Sequence, residues 1–212
     1  YPRVQDHLVM KVDYRLLIDN LLDLTHAPYL HPDTLTPGEA NRESVFTGTA
    51  TSAKSHYIMR QVKTPTSQRL FFPKDEGDFH SEVEWLLPSA LRHRLTMTGV
   101  DAPPEDGSIT RNAHLITPET ETSCHYFWVS TRNRLVDNQQ VDAGIKQIVN
   151  YAFLEEDEPM MQACQTYMAG RDFFDLKPVY LDTDASAARA RRLLADAIAA
   201  EQRQRAPMSI VA

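Results

Sequence analysis

This sequence has few cysteines, no long apolar run and no excess of positive charge. Its two cysteines, Cys124 and Cys164, are far apart and neither belongs to a Cys-x-x-Cys pair, so no disulfide framework is predicted. This usage favours a reducing compartment, and we expect a cytoplasmic protein. No apolar run reaches the roughly 18 residues that span a bilayer, and the opening YPRVQDHLVMKVDY lacks the shape of a signal peptide. We therefore expect no membrane attachment.

The charge balance also limits the classes of partner that the protein is expected to bind. The formal net charge of the 212 residues is −7, which argues against a basic face that follows phosphates, and nucleic acid is not an expected partner. Hydrophobic residues make up 42% and charged residues 24%, an ordinary globular balance for one domain or two small ones.

The chain opens without methionine and close to a strand-like run, HLVMKVDY. We interpret it as the continuation of an upstream domain; a processed terminus is the alternative.

Hydrophobic periodicity predicts an α+β fold, with strands between helices. Leucines at helical spacing predict a helix over residues 14–24, and turn residues predict a loop over 33–41. Alternating β-branched and aromatic residues predict strands over 43–51 and 55–63, two strands bent around Pro88 over 81–100, and a hairpin over 112–133 with TPETET as its connection. Helices are predicted over 141–168, divided near 156–159, and over 185–205, where Leu193, Leu194, Ala197 and Ile198 form a stripe.

The stretch DNLLDLTHAPYLH carries polar residues inside an apolar helix pattern. Asn20, Asp23 and His26 would lie within about 120° of one another on a regular helix. His31 would point about 140° away from His26 on that helix, so the two imidazoles could share a metal only if the helix were broken between them. Pro28 lies between them and would supply the break. A helix end with one capping and one partly buried histidine is the alternative.

Two histidines alone do not identify a bound metal, and a third ligand is needed. Two imidazoles and one carboxylate with open positions are typical of non-haem Fe(II) that works with oxygen. The candidate carboxylates are Glu155, Glu156, Asp157 and Glu158. Acidic residues are also common in a first helical turn, and Asp157 before Glu158-Pro159 would make a good N-cap. Periodicity alone does not choose among the four.

Three stretches resemble successive motifs of the Rieske non-haem iron aromatic oxygenases: DYRLLIDNLLDLTHAPYLH, HLITPETETSCHYFWVSTRN and FLEEDEPMMQACQ. The resemblance is to the catalytic domain of the vanillate and dicamba O-demethylase type, and it extends from Val12 into the last helix. It implies a helix-grip fold of the Bet v1 or START type, an antiparallel sheet wrapped around a long helix with further C-terminal helices. It also implies that residues 1–212 are a catalytic mononuclear iron domain that assembles as a homotrimer.

The resemblance also implies roles for individual residues. His26, His31 and Asp157 would be the metal ligands. Asp23 would be the bridging carboxylate that passes electrons across a subunit boundary, and Asn20 would lie near the metal without firmly ligating it. For the substrate pocket, His114 matches a position where a related enzyme hydrogen-bonds its substrate, and Ile148 stands where that enzyme has a tryptophan.

The cofactors and reaction follow from the same resemblance. Mononuclear Fe(II) would act with O2 and with electrons passed from NAD(P)H through a separate reductase and a Rieske [2Fe–2S] cluster. The cluster domain of the family has two Cys-x-His-type pairs, which this chain lacks, so we expect the cluster to lie outside it. The expected reaction is oxidative O-demethylation of a methoxylated aromatic acid resembling vanillate. Alternatives are hydroxylation of an aromatic or N-heterocyclic ring, N-demethylation, or a metal-free module that binds a small ligand. A zinc hydrolase is disfavoured because no HExxH motif occurs.

Overall fold

The computed structural model of the chain describes residues 3–31, 35 and 42–205. Apart from Leu35, the predicted loop over 33–41 lies outside these residues. The strands are β1 Arg3–Met10, β2 Arg42–Thr49, β3 Ser52–Lys63, β4 Glu76–Leu86, β5 Ala90–Thr98, β6 Ser108–Thr120 and β7 Ser123–Arg132. The helices are α1 Tyr14–Leu22, α2 Ala27–Leu30, α3 Gln139–Tyr151, α4 Glu158–Met168 and α5 Ala185–Arg205, with a π-helical segment, Ala152–Asp157, between α3 and α4.

The strands form one antiparallel sheet in the order β1-β7-β6-β5-β4-β3-β2. The predicted strands are confirmed, including the pair on either side of Pro88, which forms the β4–β5 hairpin. The predicted TPETET connection is too long. Thr117 and Pro118 still pair with β7, and Thr120 pairs with Ser123, so the turn contains only residues 121 and 122. Thr117 and Thr120 are β-branched residues that fit a paired strand, which explains the longer β6.

One face of the sheet is buried against helices. Buried and more accessible residues alternate along β3, β4 and β7, as expected when side chains point to opposite faces. Trp85 and Trp128 belong to the main apolar cluster on the buried face, together with Leu17 and Leu22 of α1. The Asp13 side chain caps the start of α1 by accepting a hydrogen bond from the Arg15 N–H. The predicted helix there is confirmed, although α1 ends at Leu22 and not at residue 24.

The second predicted helix is continuous where a division was expected. Pro159 lies in the first turn of α4, where a missing N–H costs little, so it does not break the chain. The irregularity lies just before it, in the π-helical segment, where the Glu158 N–H bonds to the Phe153 carbonyl five residues back. Asp157 precedes α4, but its side chain makes no capping hydrogen bond, so the N-cap interpretation is wrong.

Helix α5 has the predicted bounds but a different buried face. Of the predicted stripe only Leu194 is buried; Leu193 and Ala197 are half-buried, and Ile198 is exposed. Arg191 is buried beside Leu194, because its guanidinium pairs with Asp19 of α1 at 2.5 Å and lies over the Phe173 ring. Among the described helices, none is both long enough and apolar enough to cross a bilayer.

Candidate metal centre and its cavity

The two histidines lie at either end of the short helix α2. The chain leaves α1 at Asp23, which has an extended backbone, and His26 and His31 then flank Ala27–Leu30. The predicted break at Pro28 is therefore wrong in detail, because Pro28 lies in the first turn of α2, where its fixed φ favours the start of a helix. The His31 N–H bonds to the Ala27 carbonyl at 2.9 Å. One helical turn, rather than a kink, brings the imidazoles together.

Three side chains converge here. The ligand atoms of His26, His31 and Asp157 all lie within 4.8 Å of one another. Asp157 Oδ1 lies 3.5 Å from His26 Nε2 and 3.1 Å from His31 Nε2. The two imidazole rings are 5.3 Å apart between centroids and inclined at 70°. The structure thus brings together the three residues that the sequence predicted as ligands.

A second layer of carboxylates lies behind the imidazoles. Glu156 Oε2 is 2.7 Å from His31 Nδ1, and Asp23 Oδ2 is 3.9 Å from His26 Nδ1. Each histidine therefore presents Nε2 to the centre and Nδ1 toward an acid. The acid of His31 is within hydrogen-bond distance, the arrangement that orients metal-binding histidines, whereas the acid of His26 lies beyond it. Burial lowers the pKa of His31, but Asp157 and Glu156 outweigh this effect and raise its pKa overall.

The geometry separates the four acidic candidates that periodicity left open. Asp157 is buried at the centre, and Glu156 backs His31. Glu155 is exposed, and the Glu158 carboxylate accepts a hydrogen bond from the Lys11 N–H at 2.6 Å. The π-helical segment presents Glu156 and Asp157, which are neighbours in sequence, to opposite nitrogens of one imidazole.

The donor atoms fit a ferrous ion. Asp157 Oδ1 is buried and accepts no hydrogen bond from the described residues, although two imidazole nitrogens lie nearby. A cation bound by that oxygen and the two Nε2 atoms would satisfy it, since a buried carboxylate oxygen without a partner is costly. Two nitrogens and one carboxylate oxygen are the donors of three-ligand ferrous sites with open positions.

A cavity of about 190 Å³ adjoins the centre. The cavity is lined by Asn20, His114 and Ile148 and by the three candidate ligands. Every predicted site residue except Asp23 therefore lies along one cavity. Its remaining lining residues are Leu21, Leu24, Ala27, Leu35, Met59, Ser67, Gln68, Phe71, Phe79, Ser81, His93, Leu95, Thr110, Asn112, Trp128, Ser130, Ile145, Val149 and Phe153.

The sequence-based interpretation missed a polar wall of this cavity. His93, Asn112 and Ser130 are direct cross-strand neighbours on β5, β6 and β7. They follow the same alternation as buried Leu91 and Trp128, so inward-pointing polar residues on predicted strands were the available signal. These side chains form a row of hydrogen-bonding groups across the sheet.

His93 and His114, the two cavity histidines that are not candidate ligands, are neutral near pH 7. His93 Nε2 lies 2.9 Å from Ser81 Oγ, and burial lowers the pKa of His93 to about 4. His114 Nδ1 lies 2.7 Å from the Tyr126 hydroxyl, and burial, helped by His93, lowers the pKa of His114 to about 3. They therefore offer hydrogen bonds without charge.

Asp23 lies on the outer side of His26. Its Oδ1 accepts hydrogen bonds from the Thr25 N–H and hydroxyl, and about a third of its side chain is exposed. It lines a wider groove of about 640 Å³, which also reaches His26. Exposed apolar side chains border this groove, among them Met160, Tyr167 and Val179. His26 and Asn20 line both spaces and therefore lie between the inner cavity and the outer groove.

Comparison with known proteins identifies relatives of the whole chain. It is 33% identical over 205 residues to the chloroacetanilide N-alkylformylase oxygenase component of Rhizorhabdus wittichii, covering 93% of this chain and 58% of the relative. It is 28% identical over 194 residues to the dicamba O-demethylase oxygenase component of Stenotrophomonas maltophilia, covering 85% of this chain and 54% of the relative. The chain thus spans somewhat over half the length of these relatives.

A solved structure supports the fold. Dicamba monooxygenase bound to 3,6-dichlorosalicylic acid superposes with a TM-score of 0.85 at 24% identity, covering 95% of this chain and 60% of that one. The predicted helix-grip α+β fold is confirmed. The model of the vanillate O-demethylase oxygenase C-terminal domain matches residues 10–200, and this chain belongs to that family.

Proposed function

We propose that this chain is the catalytic mononuclear iron domain of a Rieske-type monooxygenase that demethylates a methoxylated aromatic ring. The observation that carries the proposal is the buried Asp157 oxygen beside two Nε2 atoms at the edge of a mostly apolar cavity; within the described part of the chain this oxygen accepts no hydrogen bond. His26, His31 and Asp157 would hold ferrous ion. The family resemblance supports a [2Fe–2S] cluster elsewhere in the parent protein and a separate NAD(P)H-dependent reductase.

The protein groups would bind and orient the substrate. Apolar side chains such as Trp128 and Phe153 would hold the ring and exclude water, while His114 and Ile148 would fix its position. Asn20 lines the same cavity and would lie near the ion without firmly ligating it. When bound, ferrous ion would supply the oxidation of the methyl carbon by O2, the chemistry that side chains lack.

The overall reaction balances as a monooxygenation. The methyl ether, O2, NAD(P)H and one proton give the hydroxylated methyl compound, water and NAD(P)⁺. This hemiacetal then breaks its O–C bond, giving a phenol and formaldehyde, and the phenol oxygen is the one that the substrate brought. Formaldehyde is therefore the product that separates demethylation from ring hydroxylation.

Asp23 would connect the iron site to its electron donor. It is partly exposed, lies behind His26, and lines the outer groove, so a donor in that groove could approach the imidazole from outside. The apolar border of the groove supports contact with another polypeptide. We place a second subunit of a homotrimer there, in line with the resemblance, and expect the assembly to work in the cytoplasm.

The proposal is tested by metal binding and turnover together. Asp157→Ala in the full-length parent protein, which carries the cluster, should lower bound iron and abolish formaldehyde production from methoxybenzenes with NADH and reductase. Glu155 is exposed and lies two residues away, so Glu155→Ala should retain both the bound iron and the formaldehyde production and serves as the control. Full iron content and a normal rate in Asp157→Ala would exclude this carboxylate as a ligand. If freshly reduced protein binds no iron yet still binds small aromatic ligands, the chain is a metal-free binding module.

A second candidate is oxidative N-dealkylation on the same centre. The relative from Rhizorhabdus wittichii is named an N-alkylformylase acting on chloroacetanilides, and it is 33% identical to this chain. Both reactions oxidise a carbon next to a heteroatom, so the same site would serve either. The rates of aldehyde release would be compared for two matched anilides, one with a methoxy group on the ring and one with an alkyl group on the nitrogen. The comparison would decide which reaction is faster.

A further inference from the structure

Two histidines lie next to each other on the outward face of the sheet. His7 of β1 precedes buried Leu8, and its own side chain is exposed. His125 of β7 precedes buried Tyr126 and is half-buried. Both imidazoles therefore project from the face opposite the helices and the cavity. His7 stands opposite Phe127 in the β1–β7 register, so His125 is its diagonal neighbour, a separation that aromatic side chains can bridge.

The two rings approach each other through their nitrogen atoms. His7 Nε2 lies 3.0 Å from His125 Nδ1, and the ring centroids are 5.1 Å apart with the planes inclined at 29°. Two imidazole nitrogens that bind one divalent ion at about 2.0–2.1 Å, with square or tetrahedral angles, lie about 2.8–3.4 Å apart. The observed separation falls in this range. An ion on the solvent side of the pair could therefore bind both nitrogens with little movement of either ring.

Neighbouring side chains hold both rings and add negative charge. Phe127 stacks on His7 with 4.4 Å between the centroids and 16° between the planes. Glu119 Oε1 lies 3.8 Å from His125 Nε2, the ring nitrogen that does not contact His7. The other oxygen of Glu119 accepts a hydrogen bond from the Ser123 hydroxyl, which fixes the carboxylate. A carboxylate at this distance lowers the electrostatic cost of placing a cation on the imidazoles.

A hydrogen bond between the two imidazoles is the simpler interpretation of the short distance. It requires one ring to donate and the other to accept. Because His7 is exposed and about a third of the His125 side chain is exposed, water competes for both nitrogens, and the net contribution of such a bond is small. The same exposure leaves room for the waters that would complete the coordination of an ion held by two protein ligands.

A second outward pair of histidines lacks these features. His56 of β3 and His80 of β4 are also diagonal neighbours, but their ring centroids are 5.7 Å apart, and no hydrogen bond joins them in the described part of the chain. Burial lowers the pKa of both imidazoles, and the Arg94 charge lowers each pKa further. A positive neighbour that disfavours an imidazolium also disfavours a bound cation. His56 and His80 therefore provide matched controls on the same face of the sheet.

We propose that His7 and His125 form a surface site for a late divalent transition-metal ion, Zn²⁺, Ni²⁺ or Cu²⁺, that is independent of the iron centre. Imidazole nitrogen suits all three ions, and water supplies the remaining ligands. The strand that carries His7 is an edge strand of the sheet and pairs with β7. The bound ion links this edge to the next strand, and because it binds the folded state it stabilises the protein.

Retention on immobilised Ni²⁺ tests the site, because a resin-bound ion reaches only exposed imidazoles. The iron-loaded centre is shielded, since His31 and Asp157 are buried. The untagged parent protein is eluted with an imidazole gradient. His7→Gln and His125→Gln should each lose most of the retention, because a chelate needs both nitrogens, whereas His56→Gln should elute with the unchanged protein. Absence of retention in the unchanged protein, or its co-elution with His7→Gln, overturns the proposal.

The zinc dependence of unfolding separates a metal site from a simple hydrogen bond. Unfolding temperatures of the iron-loaded protein are measured over a range of Zn²⁺ concentrations, and the iron content of each sample is measured as well. Zn²⁺ should raise the unfolding temperature, and His7→Gln should need at least about ten-fold more Zn²⁺ for the same rise, whereas His80→Gln should behave as the unchanged protein. If His7→Gln lowers the unfolding temperature without zinc but leaves the response to zinc unchanged, the imidazoles only hydrogen-bond and the proposal is wrong.

Discussion

Replacing Glu156 by glutamine isolates the charge behind His31. Glu156 Oε2 lies 2.7 Å from His31 Nδ1, and the glutamine oxygen could still accept that hydrogen bond. Hydrogen bonds to charged groups contribute about 1.5–3 kcal/mol and neutral ones about 0.5–1.5 kcal/mol, so the change should cost roughly 1–1.5 kcal/mol. Since 1.4 kcal/mol corresponds to a factor of ten, ferrous affinity should fall about ten-fold. Glu156→Ala, which also removes the acceptor, should approach about 100-fold.

The assay is anaerobic competition for Fe(II) between the protein and a chromogenic chelator at pH 7.5. Glu155→Gln is the matched control, because Glu155 belongs to the same π-helical segment but is exposed. Its affinity should stay within about two-fold of the unchanged protein, since an exposed charge is screened. If both Glu156 variants bind iron as tightly as this control, then the carboxylate behind His31 neither orients the imidazole nor increases its basicity.

Three further predictions concern electron entry, acid stability and helix capping. Asp23→Asn in the full-length parent protein should retain iron, because Asp23 is not among the converging ligands, but lose NADH-coupled formaldehyde release; normal coupled turnover would exclude it from the electron route. Stability should fall on acidification, because unfolded histidines bind protons below about pH 6.5 whereas His93 and His114 stay neutral down to about 4 and 3 in the folded state. Between pH 7.5 and 5.5 the loss should be about 1.4 kcal/mol for each histidine, so urea unfolding of His114→Phe should show a fall smaller by that amount; an identical pH dependence would contradict it. Asn138→Ala should lower the free energy of unfolding by about 1 kcal/mol, because its side chain accepts from the Gln140 and Val141 N–H groups at the start of α3, whereas exposed Asp137→Ala should change little.

Much of the fold could be predicted because local periodicity and tertiary packing agree. Leu17 and Leu21 of α1 lie at helical spacing and are buried, and the alternating hydrophobic pattern of β3 and β7 matches the alternation of buried and accessible residues. The errors fall at element ends, where backbone hydrogen bonds decide the boundary. In the structure α1 ends before Asp23, and the β6–β7 turn is shorter than predicted. The hydrophobic pattern marks neither boundary.

The candidate site was predictable as a set of residues but not as a geometry. Motif resemblance selected His26, His31 and Asp157, which spacing alone left among alternatives. The turn of α2 that joins the histidines depends on where α1 ends, and a helix pattern does not specify this. The polar wall was missed because His93 and Asn112 meet only through strand pairing, which links positions far apart in the chain.

The placement of Glu156 and Asp157 depends on the one extra residue that the π-helical segment accommodates. A regular helix advances about 100° per residue, and a π turn accommodates one more residue than an α turn. If the same residues formed a regular α-helix, Glu156 and Asp157 would be rotated relative to α3 by about that angle, whereas the π turn absorbs the extra residue and keeps both carboxylates at His31. The ion site therefore depends on this wide turn, and a change that closed the turn to α geometry with all its residues retained would move both carboxylates away from His31.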